Sequence, residues 1–354
     1  GTARDALTVD LTAWPHGQQA LDVEVSSTLA SVSVTGSWSE AGVESDEDER
    51  IVVRSADSSV AIAAPKLLAL VQVALGRLSL LGSLRLTGTD LTLAAQEIDL
   101  AGRDIDTTAA ERAGDITLTA LAEGDHANAV VRGSGGSLTG GAIRVTATAR
   151  SDADANAVID LTDLRLSAIG DIALVASASV RATAAAAQIS TTARSSLGGR
   201  STATAGGQVL LGASTESVLS AISVGAAALG VRRVTVASLG GRTSVDAADV
   251  RVRAESLGRL DLAVDLRTPT GAPAGIEALL ASARQAGGAH VRLDAVTEAV
   301  LAGVLALRAA HTSVEAVSDD DEALRALADP RSGSAVLQRS THTSARVGTG
   351  AIVD

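Results

Sequence analysis

The chain of 354 residues contains no cysteine, methionine, phenylalanine or tyrosine. Without thiols there is no disulfide framework, no thiolate-held zinc and no cysteine nucleophile. Without aromatic rings there is no platform for stacking bases or sugars, apart from Trp14 and Trp38 near the N-terminus. Positive charge is also in short supply. The 29 basic side chains are outnumbered by 41 acidic ones, for a formal net charge of −12, the opposite of a nucleic-acid footprint. The longest apolar stretch, Leu67 to Leu84, is broken by Gln72, Gly76 and Arg77, too interrupted to span a membrane. No basic segment leads into an apolar signal core, and the first residue is Gly1 instead of Met. The expectation is a processed chain, or a piece cut from something longer.

What is present is aliphatic. Hydrophobic residues make up 46% of the chain, almost all of them Ala, Val, Leu and Ile, and charge is ordinary, so the composition is not that of a disordered polymer. A core without aromatic anchors, which bury roughly 150 Å² or more each, must be filled by small and branched aliphatic groups. A narrow interior suits them. The length would allow two domains, but the repeats described next argue against separate compact units. The chain divides instead into a divergent stretch, 1–90, and a repetitive stretch, 91–354, with no linker between them.

Short runs alternate with period two: Leu7-Thr-Val-Asp-Leu11, Leu21-Asp-Val-Glu-Val25, Leu91-Thr-Leu93, Leu260-Asp-Leu262. Such runs read as strands with one buried face. A longer pattern lies above them. Gly114-Asp-Ile-Thr-Leu-Thr-Ala120 recurs as Gly141-Ala-Ile-Arg-Val-Thr-Ala147, Gly170-Asp-Ile-Ala-Leu-Val-Ala176 and Gly207-Gln-Val-Leu-Leu-Gly-Ala213, at intervals of 27, 29 and 37 residues. The template is Gly-x-h-x-h-x-Ala, with h an Ile, Leu or Val. Weaker copies are read at Val234–Ala237, Asp249–Ala254 and Gly303–Ala309. Lead-in segments precede several copies: Ala129–Val131, Ala157–Asp160 with Leu164–Leu166, and Ala289–Leu293. A further one, beginning at Ala345, runs to Asp354 and is expected to continue beyond it. Repeats of this length built from short strands predict a β-solenoid, in which each coil buries its apolar face against its neighbours. Glycine suits the corners, and alanine a position where the coil is tight.

Two segments predict short helical inserts outside the coils. Ile276–Arg284 has apolar residues three and four apart, after Pro269 and Pro273. Asp319–Ala328 opens with an acidic turn and stops before Pro330. Lys66–Leu75 fits helix or strand equally. The segments Arg132–Gly136, Ser195–Gly199 and Leu239–Gly241 predict turns or external loops.

The unit Ala157–Ala176, with the Ala/Ser/Thr-rich run that follows to Ala193, resembles units of filamentous-haemagglutinin-type and related giant repetitive bacterial adhesins. The resemblance covers roughly Leu91 to Asp354, and it lies in the lead-in strand, the Gly-Asp corner and the h-x-h-x-Ala strand. It implies a right-handed parallel β-helix, export to the surface of a diderm bacterium, and a role as stalk, filament or adhesive surface. It brings no catalytic residues with it. The predicted helices and two acidic clusters depart from the usual pattern.

The remaining chemistry is sparse. His16, His126, His290, His311 and His342 share no metal-ligand spacing. Glu44–Glu49 and Asp319–Glu322 are acidic runs, and calcium takes six to eight oxygens, but neither run matches a known calcium loop. Each reads as a solvated loop or helix N-terminus. The Gly-Asp corners at Gly114-Asp115 and Gly170-Asp171 are the other acidic motif. Arg232, Arg233, Arg251 and Arg253 are read as the densest basic face. No catalytic, cofactor-binding or metal residue is assigned. The expected function is an extracellular structural or adhesive solenoid without catalysis. Its partners would be itself, further repeats, or a host-cell, matrix or polysaccharide surface. Alternatives are a calcium-stabilised exported repeat protein and a carbohydrate-active β-helix enzyme.

Overall fold

A computed structural model gives the architecture. It describes residues 90–353 except 111–112, 183–187, 225–227, 266–287, 304, 328–333 and 348–350, together with short segments between residues 5 and 85. The predicted helix at Ile276–Arg284 and the acidic run Glu44–Glu49 lie outside the described residues.

The described elements are all strands, arranged in three sheets: eleven strands in sheet A, ten in sheet B and eight in sheet C. From Leu91 to Val353 the chain visits B, then A, then C, and repeats this circuit seven times. Each strand pairs in parallel with its counterpart one circuit earlier and one later. Parallel strands need a crossover between them, and here the crossover is the rest of the circuit.

Register turns the sequence template into columns. In sheet B, Leu91, Ile116, Ile143, Ile172, Val209 and Val250 are successive partners. So are Leu93, Leu118, Val145, Leu174, Leu211 and Val252, and so are Ala95, Ala120, Ala147, Ala176, Ala213 and Ala254. All of these side chains are buried in one continuous core. Sheet C contributes the column Ile105, Leu138, Leu166, Ala203, Val245 and Leu307. Sheet A contributes Ile98, Val131 and Ile159. Each fully buried Leu, Ile or Val is worth about 1.5–3 kcal/mol. The first six rungs repeat the sheet B set, so each circuit extends this part of the core along the stack.

The circuit also widens. Sheet C strands stay at three or four residues throughout. Sheet B strands lengthen from 5 residues at Leu91–Ala95 to 8, 9 and 11. They then reach 17 residues in Gln208–Val224, Asp249–Asp265 and His311–Leu327. Sheet A strands grow with them, from 3 to 14 residues.

Two expectations need correction. Asp319–Leu327 is not a helix. It belongs to the strand His311–Leu327, paired residue for residue with Asp249–Asp265, and among the described residues there is no helix at all. Seventeen ladder positions outweigh an acidic first turn whose helical signal is only local. Second, Val234–Ala237 lies in sheet A and Leu305–Arg308 in sheet C, so neither is a copy of the sheet B template. Asp249–Ala254 is a copy as expected, and the further sheet B copies are Leu91–Ala95 and Thr312–Ala316. For Lys66–Leu75, which fits helix or strand by its sequence, the described part, Val71–Ala74, is a strand.

In the first ninety residues the sheets continue with two reversals. Ser58–Ala63 pairs antiparallel with both Arg50–Ser55 and Leu91–Ala95 in sheet B. Val71–Ala74 does the same between Leu29–Thr35 and Arg77–Leu80 in sheet A.

Candidate functional site

Parallel pairing in register lines up equivalent side chains about 4.8 Å apart, outside the core as well as inside. Near the end of the shorter sheet B strands, two outward columns run along the stack. One is Leu121, Thr148, Ser177, Ser214, Glu255 and Val317; the other is Glu123, Arg150, Ser179, Glu216, Leu257 and Asp319. All of these but Leu121, together with the turn residues Gly124, Asp125, Ser151 and Asp152, line an open groove of about 1200 Å³ that crosses six rungs. Its walls are charge-paired: Arg150 Nη1 lies 3.0 Å from Glu123 Oε1, Arg181 Nη2 lies 3.5 Å from Glu216 Oε1, and Arg253 contacts Glu255. Its floor is rich in hydroxyls, and Ser214 donates to Ser177 at 3.1 Å. No histidine and no aromatic ring lines it. Such a surface offers a ladder of hydrogen-bonding groups to an extended polar chain, and no base poised on a nucleophile.

The Gly-Asp corners have a structural task. The backbone N–H of Ala142 donates to Asp115 Oδ1 at 2.8 Å, and that of Gln208 donates to Asp171 Oδ1 at 2.7 Å. Asp90 receives the N–H of Asp115 in the same way at 2.9 Å. Each aspartate therefore caps the corner of the next circuit. This explains the template glycine. A Cβ on Gly141 would sit 2.5 Å from Asp115 Oδ1, and one on Gly207 would overlap Asp171 Oδ1. Where the corner residue is Ala142, the glycine above it, Gly170, has no atom nearer than 3.4 Å to its would-be Cβ. Arg132–Ser134, Ser195–Gly198 and Leu239, expected to turn or loop out, instead end sheet A strands, because their alternate residues face the core, and the chain turns only at the glycines just after them. Gly199, Gly241 and Gly303 stack at the A-to-C corner with φ of 70°, 74° and 106°, a region open to glycine and strained for other residues.

The histidines are dispersed. His126 is exposed, 3.8 Å from Asp154. His342, also exposed, lies 3.3 Å from Glu298. His311 begins a sheet B strand and His290 lies in a sheet A strand; His16 is outside the described residues. Among the described residues, no three His, Asp or Glu side chains converge as a metal site would require.

The basic face does not form. Arg251 and Arg253 are exposed on sheet B, Arg232 is exposed on sheet A, and Arg233 points inward with 2% of its side chain accessible. The period of two in a strand separates Arg232 from Arg233 to opposite faces. Nor is the second acidic run a solvated loop. Asp319 and Asp321 face out, while the Asp320 side chain is 1% exposed, with its Oδ1 2.6 Å from Arg233 Nη2. Reading the residues one run at a time missed this pair. Aligning the sheet B copies reveals it: Ala316, Ser318 and Asp320 fall opposite Ala254, Ser256 and Gly258, which are inward positions.

Around this pair hydroxyls enter the interior beside the apolar Leu219, Val231, Leu260 and Leu293. Thr191 and Ser217 share a hydrogen bond of 2.7 Å, and Thr215 meets Thr235 at 2.6 Å and Ser256 at 3.2 Å. These contacts fill the space between the lengthened strands of sheets A and B, where the earlier rungs place alanines: Ala122, Ala149 and Ala178 opposite Ala127 and Ala155.

Compared with protein-family models, curated proteins and solved structures, the chain matches none.

Proposed function

We propose that this chain is a structural and adhesive segment of a large exported surface protein: a right-handed parallel β-helix that acts as a stiff stalk, with no catalytic step. One observation carries the reading: the unbroken register of aliphatic columns over successive circuits. A core that extends by repetition builds length, and its hydrogen-bond ladders run along that length. The resemblance of the Ala157–Ala193 unit to filamentous-haemagglutinin-type adhesins points the same way. In this reading the hydroxyl- and charge-lined groove on sheet B is the contact surface, and its occupant is an extended polar chain such as a matrix or capsule polysaccharide. The Gly-Asp carboxylates serve the stack itself.

Electron microscopy or small-angle scattering of the purified chain tests the stalk. An elongated particle is expected, and a compact globule overturns the reading. A thermal melt with millimolar calcium tests the mechanism of stabilisation. An unchanged midpoint is expected, whereas a rise of several degrees would move the assignment to a calcium-stabilised repeat.

A further inference from the structure

We propose that Arg233, Gly258 and Asp320 form an internal pin, which fixes the register of the widest rungs and makes them open and close as one unit. Arg233 projects inward from the sheet A strand Ala228–Leu239. Its guanidinium occupies the space that a side chain at position 258 would need: a Cβ built on Gly258 lands on Nη1 and Cζ of Arg233. Gly258 lies in the sheet B strand one circuit on, and Asp320 is its partner in the strand after that. The arginine thus crosses the interior and passes over a glycine to reach a carboxylate two sheet B strands beyond the one in its own circuit. Asp320 Oδ2 also receives Arg339 Nη2 at 2.9 Å and Ser318 Oγ at 3.1 Å. Arg339 is 45% exposed, so its charge is shared with solvent. Arg233 and Asp320 are enclosed.

Neither a mid-strand glycine nor an inward arginine is favoured in a strand by itself. Together they are complementary in shape and charge. The need for them comes from the neighbours. Inward positions of the wide rungs are Ala213, Thr215 and Ser217, then Ala254, Ser256 and Gly258, then Ala316 and Ser318. These residues are small and nearly interchangeable. A slip of two residues keeps every inward side chain inward, so alternation alone does not distinguish the registers. A slip that brings Ser318 opposite Gly258 carries Asp320 away from Arg233 and leaves the guanidinium buried without its counterion, which is strongly disfavoured. Holding register is the best attested use of buried charge. In an ordinary repeat stack, coupling runs between nearest neighbours. The pin adds a link between strands that do not touch through their backbones.

The test uses the full chain. Because it contains no cysteine, engineered pairs on the outer face report register. Arg253 and Glu315 are partners, at the Cα spacing of about 5 Å that a disulfide accepts. R253C/E315C is expected to crosslink on oxidation, and R253C/S313C and R253C/V317C are not. Introducing Asp320→Asn should bring up the off-register pairs. It should also raise amide exchange in 231–239 and 250–260 by about 100- to 1000-fold, while 116–182 changes by less than about threefold. The double variant R233M/D320L, which removes both charges, should return crosslinking to the native pair and exchange to within about tenfold of the parent. Native-only crosslinking in Asp320→Asn, or unchanged exchange in 231–239, overturns the pin. So does a double variant as loose as the single one, and this last measurement decides the matter if Asp320→Asn does not fold.

Discussion

The narrow rungs, residues 91–182, and the wide rungs, residues 208–347, share a backbone plan and differ in how they fill it. The narrow rungs are filled by columns of Leu, Ile, Val and Ala, which need no partner beyond contact. In the wide rungs the first three columns persist as Val209, Leu211 and Ala213 and as Val250, Val252 and Ala254, but the added length carries threonine, serine, arginine and aspartate inward. A repeat stretch without aromatic residues, as 91–354 is, has few ways to cross a wider gap. Apolar packing tolerates similar shapes, while a hydrogen-bonded interior accepts only the correct partners. The lesson is that specificity here resides in the wide end and bulk stability in the narrow one.

The most forceful way to break that contrast is to make cavities in both. Leu118 is fully buried between Leu93 and Val145. Leu118→Ala should cost about 2–5 kcal/mol, read as a drop in the urea midpoint. Leu260 is 6% exposed and lines, with Leu219, Val231 and Leu293, a cleft beside Arg233 that opens to the surface, so part of the space its truncation frees is within reach of solvent. Leu260→Ala should fall at or below the low end of that range, about 2 kcal/mol. Equal losses would mean that the wide rungs are packed as tightly as the narrow ones.

A smaller effect is expected at the corners. Gly141→Ala forces a methyl against Asp115 Oδ1 and against Ala113 O at 2.8 Å, and should lose about 1–3 kcal/mol with the hydrogen bond to Ala142. Gly170→Ala meets only Gly141 O at 3.4 Å and Ala142 Cβ at 3.9 Å, and should change stability by less than about 0.5 kcal/mol. The pair sharpens the comparison within the narrow rungs themselves: a glycine is needed where an aspartate lies below it.

How much of this was legible in the sequence follows the same division. Gly114, Gly141, Gly170 and Gly207 with their h-x-h-x-Ala strands are read correctly, because aliphatic alternation and a fixed template are strong local signals. The order of the three sheets is not legible. Val234–Val236 and Leu305–Leu307 look like sheet B triplets, since period two says which face is buried but not which sheet the strand joins. The Asp319–Leu327 strand reads as a helix because Leu324 and Leu327 are three apart and the first turn is acidic. The partner that decides otherwise, Asp249–Asp265, is distant in sequence. The groove is invisible for a related reason: Glu123, Arg150, Ser179 and Glu216 become neighbours only once register is known.

Next in size is the polar interior. Thr215 Oγ1 bridges Thr235 and Ser256, at the position that Ala178 holds one rung earlier. Thr215→Val keeps the shape and removes the hydroxyl, leaving a buried partner to be satisfied by one neighbour fewer. A loss of about 1 kcal/mol is expected in thermal or urea melts. An increase in stability would show that the wide rungs tolerate an apolar interior, and that their hydroxyls matter for register alone.

The smallest effect belongs to the surface. Arg150 and Glu123 form a pair at 3.0 Å with side chains 63% and 59% exposed. In high dielectric their attraction is largely offset by the entropy of holding two long side chains, so Glu123→Gln should cost less than about 1 kcal/mol. That difference should shrink as salt is raised, because the screening length falls to roughly 3 Å at 1 M. The buried pair of Arg233 with Asp320 has almost no contact with solvent ions and should keep its effect under the same conditions. Melting Glu123→Gln and Asp320→Asn beside the parent chain at low and high salt therefore separates the two kinds of charge. If salt erases both differences equally, the interior of the wide rungs is open to solvent and the contrast between the two ends fails.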